Sequence, residues 1–159
     1  MRPVEDQAAT LLATCRAAGV MIVTAESCTG GLLSAAFTAI PGSSDVFDRG
    51  FITYSYAAKS EMLGVSARLL ADHGAVSEQV AAAMTQGALE RTSAGLALAI
   101  TGVAGPGASE AKPEGLVWFS AQRSGQDPVT LCREFGPLGR SAVRAASVQT
   151  ALDLGQSVL

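Results

Sequence analysis

Apolar positions recur at two different spacings along the chain, and each spacing predicts one kind of element. A spacing near 3.6 residues indicates an amphipathic helix, whereas a short unbroken apolar run bounded by turn residues indicates a buried strand. Helices are predicted at 4–18, 28–39, 56–63, 66–72, from Ser77 to about 92, and from about 140 to 157. Strands are predicted at 20–24, 45–54, 96–101, 116–122 and 128–135.

This order of elements predicts an α/β protein with one mixed sheet and helices on both faces. The last two strands are predicted to form a hairpin around residues 124–127. Ligands of such sheets bind beyond the carboxyl ends of the parallel strands. After Thr24, Tyr54 and Thr101, polar residues or glycines end the apolar runs of three predicted strands. If those strands are parallel, the polar residues converge on one crevice.

Composition restricts the class of protein. The chain has 159 residues, enough for one domain with a substantial core, and we expect a single domain over residues 1–159. Its 48% hydrophobic and 16% charged residues exclude a disordered chain. A net charge of −3 without a basic run argues against a nucleic-acid partner. No apolar run approaches the ~20 residues that span a bilayer, and we expect that MRPVEDQAAT, with Glu5 and Asp6 and no apolar core, is not a secretory signal. We therefore expect a cytoplasmic protein with no membrane partner.

Metal ligands are scarce in this sequence. The three cysteines, Cys15, Cys28 and Cys132, are far apart, and His73 is the one histidine. Zinc sites and disulfide scaffolds use clustered cysteines and histidines at short spacings. We therefore expect neither a metal site nor a cofactor that depends on one.

Ser27 lies where a predicted strand meets a predicted helix, in the segment TAESCTGG. Backbone N–H groups at a helix N-terminus lack intrahelical partners and attract negative charge. A nucleophilic serine there would find an oxyanion hole in neighbouring N–H groups, and Gly30 and Gly31 would let a ligand approach the backbone. The alternative is structural, with Ser27 as the N-cap and the glycines in a tight turn. The pattern is not Gly-x-Ser-x-Gly, so a hydrolase elbow is not matched.

A nucleophilic serine needs a base, and the sequence offers two candidates. Lys59 is one of two lysines and lies among apolar and aromatic residues in TYSYAAKSEML. It would serve as a base if burial lowered its pKa. His73 is the other candidate, although its place before Gly74 is typical of a helix end. A solvated surface position for Lys59 is the structural alternative, and the local sequence leaves the choice open.

Two further segments carry groups that would hold an anionic ligand. The loop from Thr101 to Gly107 follows a buried strand but lacks both Gly-x-Gly-x-x-Gly and the lysine of a P-loop. It would offer N–H groups to a ligand or serve as a plain connector. Arg140 and Arg144, four residues apart, share a helix face near its positive end. They would bind phosphate or carboxylate, or form a solvated pair.

Six ordered segments together resemble the CinA C-terminal-domain family, whose enzymes are nicotinamide-nucleotide amidases. They are TAESCTGG, IPGSSDVFDRGFITYS, AKSEMLGV, HGAVSEQVA, AITGVAGPG and KPEGLVWF. The resemblance covers about residues 4 to 155 and implies a stand-alone amidase. It also implies a three-layer α/β/α sandwich around a mixed, mainly parallel five-stranded sheet. Tyr56 stands where the family often has Asn, and Gly139-Arg140 where it usually has GDR.

The resemblance implies hydrolysis of the carboxamide of nicotinamide mononucleotide, giving nicotinate mononucleotide and ammonia in pyridine-nucleotide recycling. It implies a Ser/Lys mechanism without a cofactor, in which Ser27 matches the nucleophile, Lys59 the base and Tyr54 a site tyrosine that orients or relays the proton. The expected substrate-binding residues are Cys28, Thr29, Gly30, Gly31, Thr101, Gly102, Arg140 and Arg144. The arginine of the family's last helix matches Arg140, with Arg144 as the alternative.

Two other functions remain open at this stage. One is a non-catalytic module that uses the same helix terminus to hold a nucleotide phosphate. The other is an amidase for a different small amide. We also expect a homo-oligomer, with a dimer as the common form in small α/β enzymes.

Overall fold

A five-stranded sheet forms the centre of the structure, a computed structural model that describes residues 2–159. The strands are β1 Ile22–Glu26, β2 Phe47–Ile52, β3 Leu96–Gly102, β4 Leu116–Arg123 and β5 Val129–Glu134. The helices are α1 Val4–Ala18, α2 Leu32–Thr38, α3 Tyr56–Leu63, α4 Ala67–His73, α5 Glu78–Glu90 and α6 Arg140–Ser157. A short 3-10 turn, Ser43–Asp45, precedes β2.

The strand order in the sheet is β2-β1-β3-β4-β5. The central strand β1 pairs in parallel with both β2 and β3, whereas β4 runs antiparallel to β3 and to β5. All five residues of β1 are buried, as expected for a strand that is covered by neighbours and by helices on both faces. The predicted mixed sheet with a terminal hairpin is confirmed.

Alternate residues of the central strands contact different helical layers. Leu96, Leu98 and Ile100 of β3 pack in the core cluster that includes α1, α2 and α6. Ala97 and Ala99 pack in the second cluster, with residues of α3, α4 and α5. This alternation follows from the two-residue repeat of a strand. It produces the three-layer α/β/α sandwich, as predicted.

The main boundary errors lie around the first strand and the second helix. The strand predicted at 20–24 runs from Ile22 to Glu26, and the helix predicted at 28–39 begins only at Leu32. Gly30 and Gly31 have φ values of 56° and 106°, which are incompatible with a right-handed helix. The strand continues through Glu26 because both the backbone and the carboxylate of this residue find buried partners.

The parallel pairing of β2, β1 and β3 brings three strand ends to one edge of the sheet. Ser27 follows β1, Thr53 follows β2, and Gly102 ends β3. The backbone N–H of Thr53 donates to the carbonyl of Glu26 at 2.8 Å, and that of Ser27 donates to the carbonyl of Ile100 at 3.0 Å. These two bonds fix the chain beyond β1 and β2. Among residues 2–159, no helix is long and apolar enough to cross a membrane.

Candidate active site

A cavity of about 270 Å³ opens at the carboxyl ends of the three parallel strands. Its wall is formed by the turn after β1, residues around the start of α3, the segment before α5, the loop after β3 and the first residue of α6. Seven of the residues predicted for the site line this cavity: Ser27, Cys28, Tyr54, Lys59, Thr101, Gly102 and Arg140. The site is therefore assembled from segments far apart in the sequence.

Ser27 and Lys59 are in direct contact inside this cavity. The Nζ atom of Lys59 lies 2.9 Å from the Oγ atom of Ser27. Ser27 is 7% exposed and Lys59 is completely buried. Lys59 reaches this position because α3 begins at the end of β2, with Ser55 as its N-cap. The solvated surface position that the local sequence allowed for Lys59 is excluded.

The environment of Lys59 favours an uncharged amine more than water does. Burial lowers the pKa of Lys59 from 10.5 to about 8. Its Nζ atom also lies 2.8 Å from the carbonyl oxygen of Thr53 and 3.3 Å from that of Tyr54. A neutral amine has two N–H donors and one lone pair. With the two carbonyls accepting the N–H groups, the lone pair is directed at the hydroxyl of Ser27.

Glu26 occupies the helix terminus that was expected to receive negative charge from the substrate. Its carboxylate accepts from the N–H groups of Gly31, Leu33 and Ser34 at 3.2, 2.9 and 3.0 Å. It also accepts from the hydroxyls of Thr29 and Ser34, both at 2.7 Å. The prediction of an oxyanion hole at the N-terminus of α2 is therefore wrong, because a buried carboxylate already bonds to those donors.

Ser27 itself is not a helix cap, so the structural alternative for this residue is also wrong. The N-cap of α2 is Gly31, and Ser27 lies in the turn that follows β1. Cys28 lines the cavity, and within residues 2–159 its backbone N–H donates to no other residue and faces only its own thiol. This N–H group lies next to Ser27 and is not bonded to another residue. Burial raises the pKa of the Cys28 thiol to about 11, so the thiol stays protonated.

The two arginines have different positions. Arg140 lines the cavity, where it donates to the carbonyl of Gly105 at 2.7 Å and to the hydroxyl of Tyr54 at 3.1 Å. Arg144 donates to the backbone carbonyls of Cys28 and Thr29 at 3.1 and 3.2 Å. Arg144 thus braces the turn that carries Ser27, and Arg140 is the arginine that a ligand in the cavity can reach.

Tyr54 contacts Lys59 through its backbone and not through its hydroxyl group. Its side chain is 62% exposed, and its hydroxyl accepts a hydrogen bond from Arg140. The group that contacts Lys59 is the backbone carbonyl of Tyr54. A proton relay through the tyrosine hydroxyl has no support in this arrangement, whereas an orienting role for the backbone does.

Several other predicted residues lie away from the cavity surface. Thr29, Gly30 and Gly31 do not line it, because the turn directs Gly30 toward Arg144 and Gly31 toward Ile52. These glycines provide the left-handed backbone of the turn and do not provide room for a ligand. His73 ends α4 outside the cavity lining and is not placed to act as a base for Ser27.

Thr101 and Gly102 lie on the cavity wall. The Thr101 hydroxyl is buried and donates to the carbonyl of Ala75 at 2.8 Å, so it fixes the segment before α5. Gly102 leaves space for the side chain of Val117 on β4. Residues 2–159 contain no group of three or more His, Cys, Asp or Glu side chains that could hold a metal ion.

Sequence reasoning missed two acidic residues, Glu26 and Glu110. Glu26 was interpreted only as part of the polar segment after the predicted strand, and no local pattern indicated that its carboxylate would reach the first turn of α2. Glu110 lies in a loop with no periodic pattern, and it lines the cavity beside Tyr56. Contacts of this kind depend on tertiary structure, and no local signal identified Glu110.

Comparison with known proteins shows to which family this chain belongs. The sequence pattern of the CinA C-terminal domain matches residues 4–159. The chain belongs to the CinA C-terminal domain family. A CinA-like protein of Mycobacterium sp. strain JLS is 51% identical over 152 residues, which is 95% of this chain and 35% of that protein. The chain thus spans about a third of the length of this CinA-like relative.

Other CinA-domain relatives are similar to this chain over most of their length. The nicotinamide-nucleotide amidohydrolase PncC of Enterobacter agglomerans is 48% identical over 145 residues, which is 88% of each chain. The PncC protein of Escherichia coli strain K12 is 47% identical over 138 residues, covering 86% of this chain and 83% of that one.

Solved CinA-domain structures share the fold. The competence/damage inducible protein CihA of Agrobacterium tumefaciens has a TM-score of 0.94 and 43% identity, covering 99% of this chain and 98% of that one. A CinA superfamily protein of Escherichia coli has a TM-score of 0.95 and 37% identity, covering 99% and 91%.

Proposed function

We propose that this protein is a nicotinamide-nucleotide amidase, which hydrolyses the carboxamide of nicotinamide mononucleotide to nicotinate mononucleotide and ammonia. The names of the two PncC relatives support the substrate, since both match this chain over more than four fifths of their length. The observation that carries the proposal is the 2.9 Å contact between Lys59 Nζ and Ser27 Oγ in the cavity. It is the arrangement that an activated serine requires.

In the first half of the reaction, Ser27 attacks the carboxamide carbon while neutral Lys59 accepts the hydroxyl proton. The C=O electron pair moves onto oxygen, and the oxyanion accepts a hydrogen bond from the backbone N–H of Cys28. Lys59, now an ammonium, donates a proton to the amide nitrogen as the C–N bond breaks. Ammonia leaves, and the nicotinoyl group remains on Ser27 as an ester.

In the second half, water takes the place of ammonia. Lys59, neutral again, accepts a proton from that water as its oxygen attacks the ester carbon. Collapse of the second tetrahedral intermediate breaks the bond to Ser27 Oγ, which recovers its proton from Lys59. The product is nicotinate mononucleotide, and the residues return to their starting protonation states. Every step uses side chains and backbone of this chain, without a metal or an organic cofactor.

Arg140 is the residue that we assign to the substrate phosphate. Its guanidinium lies at the cavity and is held by the carbonyl of Gly105 and the hydroxyl of Tyr54. These partners occupy part of its five donors, so N–H groups remain for a phosphate oxygen. Thr101 and Gly102 would contact the substrate from the adjacent wall.

The test is ammonia release from purified protein incubated with nicotinamide mononucleotide, with nicotinate mononucleotide measured by chromatography. We expect equal amounts of both products and no turnover by Ser27→Ala. Binding of the nucleotide without release of ammonia would identify the non-catalytic module. A higher kcat/KM for another small amide in a panel would replace the proposed substrate.

Location and assembly belong to the same proposal. Three cysteines without a disulfide are typical of a reducing compartment, which supports a cytoplasmic location. We also propose a homodimer, to be tested by light scattering during size-exclusion chromatography. A monomer at micromolar concentration would contradict it.

A further inference from the structure

The loop between β3 and β4 carries a two-residue hairpin turn with an unusual sequence. Ser109 and Lys112 exchange two backbone hydrogen bonds of 3.0 and 2.8 Å, with Glu110 and Ala111 between them. The φ values of these two central residues are 54° and 59°. Such turns favour Asn-Gly or Asp-Gly, because most other residues in the left-handed conformation cost about 1–2 kcal/mol each.

Glu110 supplies contacts that hold this unfavourable backbone in place. Its carboxylate accepts a hydrogen bond from the hydroxyl of Tyr56, and lies 3.4 and 3.3 Å from the backbone nitrogens of Ala75 and Val76. Burial alone would raise the pKa of Glu110, but these donors and nearby Lys112 hold it below its ordinary value. The carboxylate is therefore ionised at neutral pH.

Lys112 binds the same short segment through the opposite backbone groups. Its ammonium donates to the carbonyl of His73 at 2.9 Å and to the carbonyl of Val76. Glu110 thus accepts from the N–H groups of Ala75 and Val76, and Lys112 donates to the carbonyls of His73 and Val76. The carboxylate of Glu110, a central residue of the turn, and the ammonium of Lys112, which closes it, lie 3.9 Å apart. We call Tyr56, Glu110, Lys112 and residues 73–76 the latch.

The latch residues line or adjoin the cavity wall, and none of them accepts a hydrogen bond from Lys59. The loop residues from 103 to 110 all line the cavity, and the carbonyl of Gly105 holds Arg140. The hydrogen bonds that hold Ser27 and Lys59 come from β3 and from the chain after β2, and the latch touches α3 only at its first residue, Tyr56. A change in the latch therefore moves the wall and Arg140 and leaves the hydrogen bonds of the reacting pair in place, although the burial that lowers the pKa of Lys59 is partly offset by the charge of Glu110.

We propose that Glu110 is a positioning residue for substrate affinity, which fixes the loop wall and Arg140 by latching the hairpin to Tyr56 and residues 73–76. This inference rests on the proposed function for the identity of the substrate. It also assigns a role to Tyr56, one of the two positions at which this chain departs from the pattern of its family.

The kinetic test compares Glu110→Gln and Tyr56→Phe with wild-type enzyme on nicotinamide mononucleotide. At pH 9.5, where Lys59 is mostly neutral with or without the Glu110 charge, loss of a charge-assisted hydrogen bond predicts a KM about tenfold higher for Glu110→Gln, with kcat changed by less than about twofold. Tyr56→Phe should act in the same direction, and the double variant should be no worse than Glu110→Gln. The matched control is Glu61→Gln, which removes an exposed carboxylate from α3 outside the cavity lining and should leave both constants unchanged.

Hydrogen exchange tests the latch without any reliance on turnover. The backbone amides of Ala75, Val76, Ser109 and Lys112 should exchange about tenfold faster in Glu110→Gln, by the same loss of a charge-assisted bond. This measurement stands even if wild-type protein fails to hydrolyse the nucleotide, so the two proposals fail separately. If Glu110→Gln does not fold, Tyr56→Phe carries both measurements.

Three results would overturn the proposal. The first is unchanged exchange at these amides in a folded variant. The second is faster exchange with an unchanged KM, which would make the hairpin a structural feature alone. The third is a fall in kcat at constant KM, which would place Glu110 in the chemistry and not in positioning.

Discussion

Replacing Lys59 by arginine tests whether Lys59 acts as a base or only as a fixed positive charge. Burial lowers the pKa of Lys59 to about 8, so at pH 7 about one molecule in eleven holds the neutral amine. With the ordinary value of 10.5, the fraction would be about one in three thousand. Arginine keeps the charge, but its guanidinium does not deprotonate at any usable pH. The variant therefore has no group that can accept the Ser27 proton.

The expected loss follows from this role. General-base catalysis contributes roughly 10² to 10⁴ in rate, and we expect Lys59→Arg to lower kcat by about three orders of magnitude. Lys59→Ala should lose about as much. If the lysine acted only as a positive charge, arginine would restore much of the activity and alanine none. The comparison of the two variants therefore distinguishes proton transfer from positioning.

The assay is steady-state ammonia release between pH 6 and pH 9.5, with thermal unfolding as the control for folding. For wild-type enzyme, kcat/KM should rise about tenfold between pH 7 and pH 9 and level off above the pKa of Lys59. The constant rises because the neutral amine of Lys59, which is the form that accepts the Ser27 proton, becomes more abundant as the pH increases. A kcat for Lys59→Arg within tenfold of wild type, or a flat pH profile, would refute the Ser/Lys mechanism.

Four other perturbations test separate parts of the site. Ser27→Ala should lower kcat by at least about 10³ with an unchanged melting temperature, and a folded variant with wild-type kcat would remove Ser27 as nucleophile. Arg140→Ala should raise KM for nicotinamide mononucleotide about tenfold and affect nicotinamide riboside little; an equal loss on both would contradict a phosphate contact. EDTA should leave activity unchanged, whereas loss restored by one divalent ion would indicate a metal. Glu26→Gln should lower the free energy of unfolding by about 2–4 kcal/mol in urea titration, because an amide NH₂ would face backbone donors; a change below about 0.5 kcal/mol would show that the cap matters little.

The layers and the sheet could be predicted because apolar periodicity reports burial directly. The helix at Val4–Ala18 and the last helix were predicted at their observed bounds, since both carry long repeats and clear ends. The errors at Glu26 and Leu32 have a common cause. The sequence shows a polar residue at a strand end, but only the folded chain shows that its carboxylate bonds to a helix that begins six residues later.

The site could be predicted less completely than the fold. Ser27, Lys59 and Arg140 were found by strand ends, residue scarcity and resemblance, and the structure brings all three to one cavity. The contact between Glu110 and Tyr56 spans 54 positions and has no local pattern. Periodicity predicts which face of an element is buried, but it does not predict which polar groups meet across a loop.

The bonds made by Glu26 have a consequence for transplanting the reactive pair into another protein. A carboxylate next to a nucleophilic serine would normally form an ion pair with a nearby lysine, which would raise the pKa of that lysine and keep it charged. Here both carboxylate oxygens are bonded to the N–H and hydroxyl groups around the start of α2. Glu26 is thereby bonded to α2 and, within residues 2–159, forms no ion pair with Lys59. A host scaffold given only a serine and a buried lysine would have to import α2 as well, or else place an apolar residue before the serine.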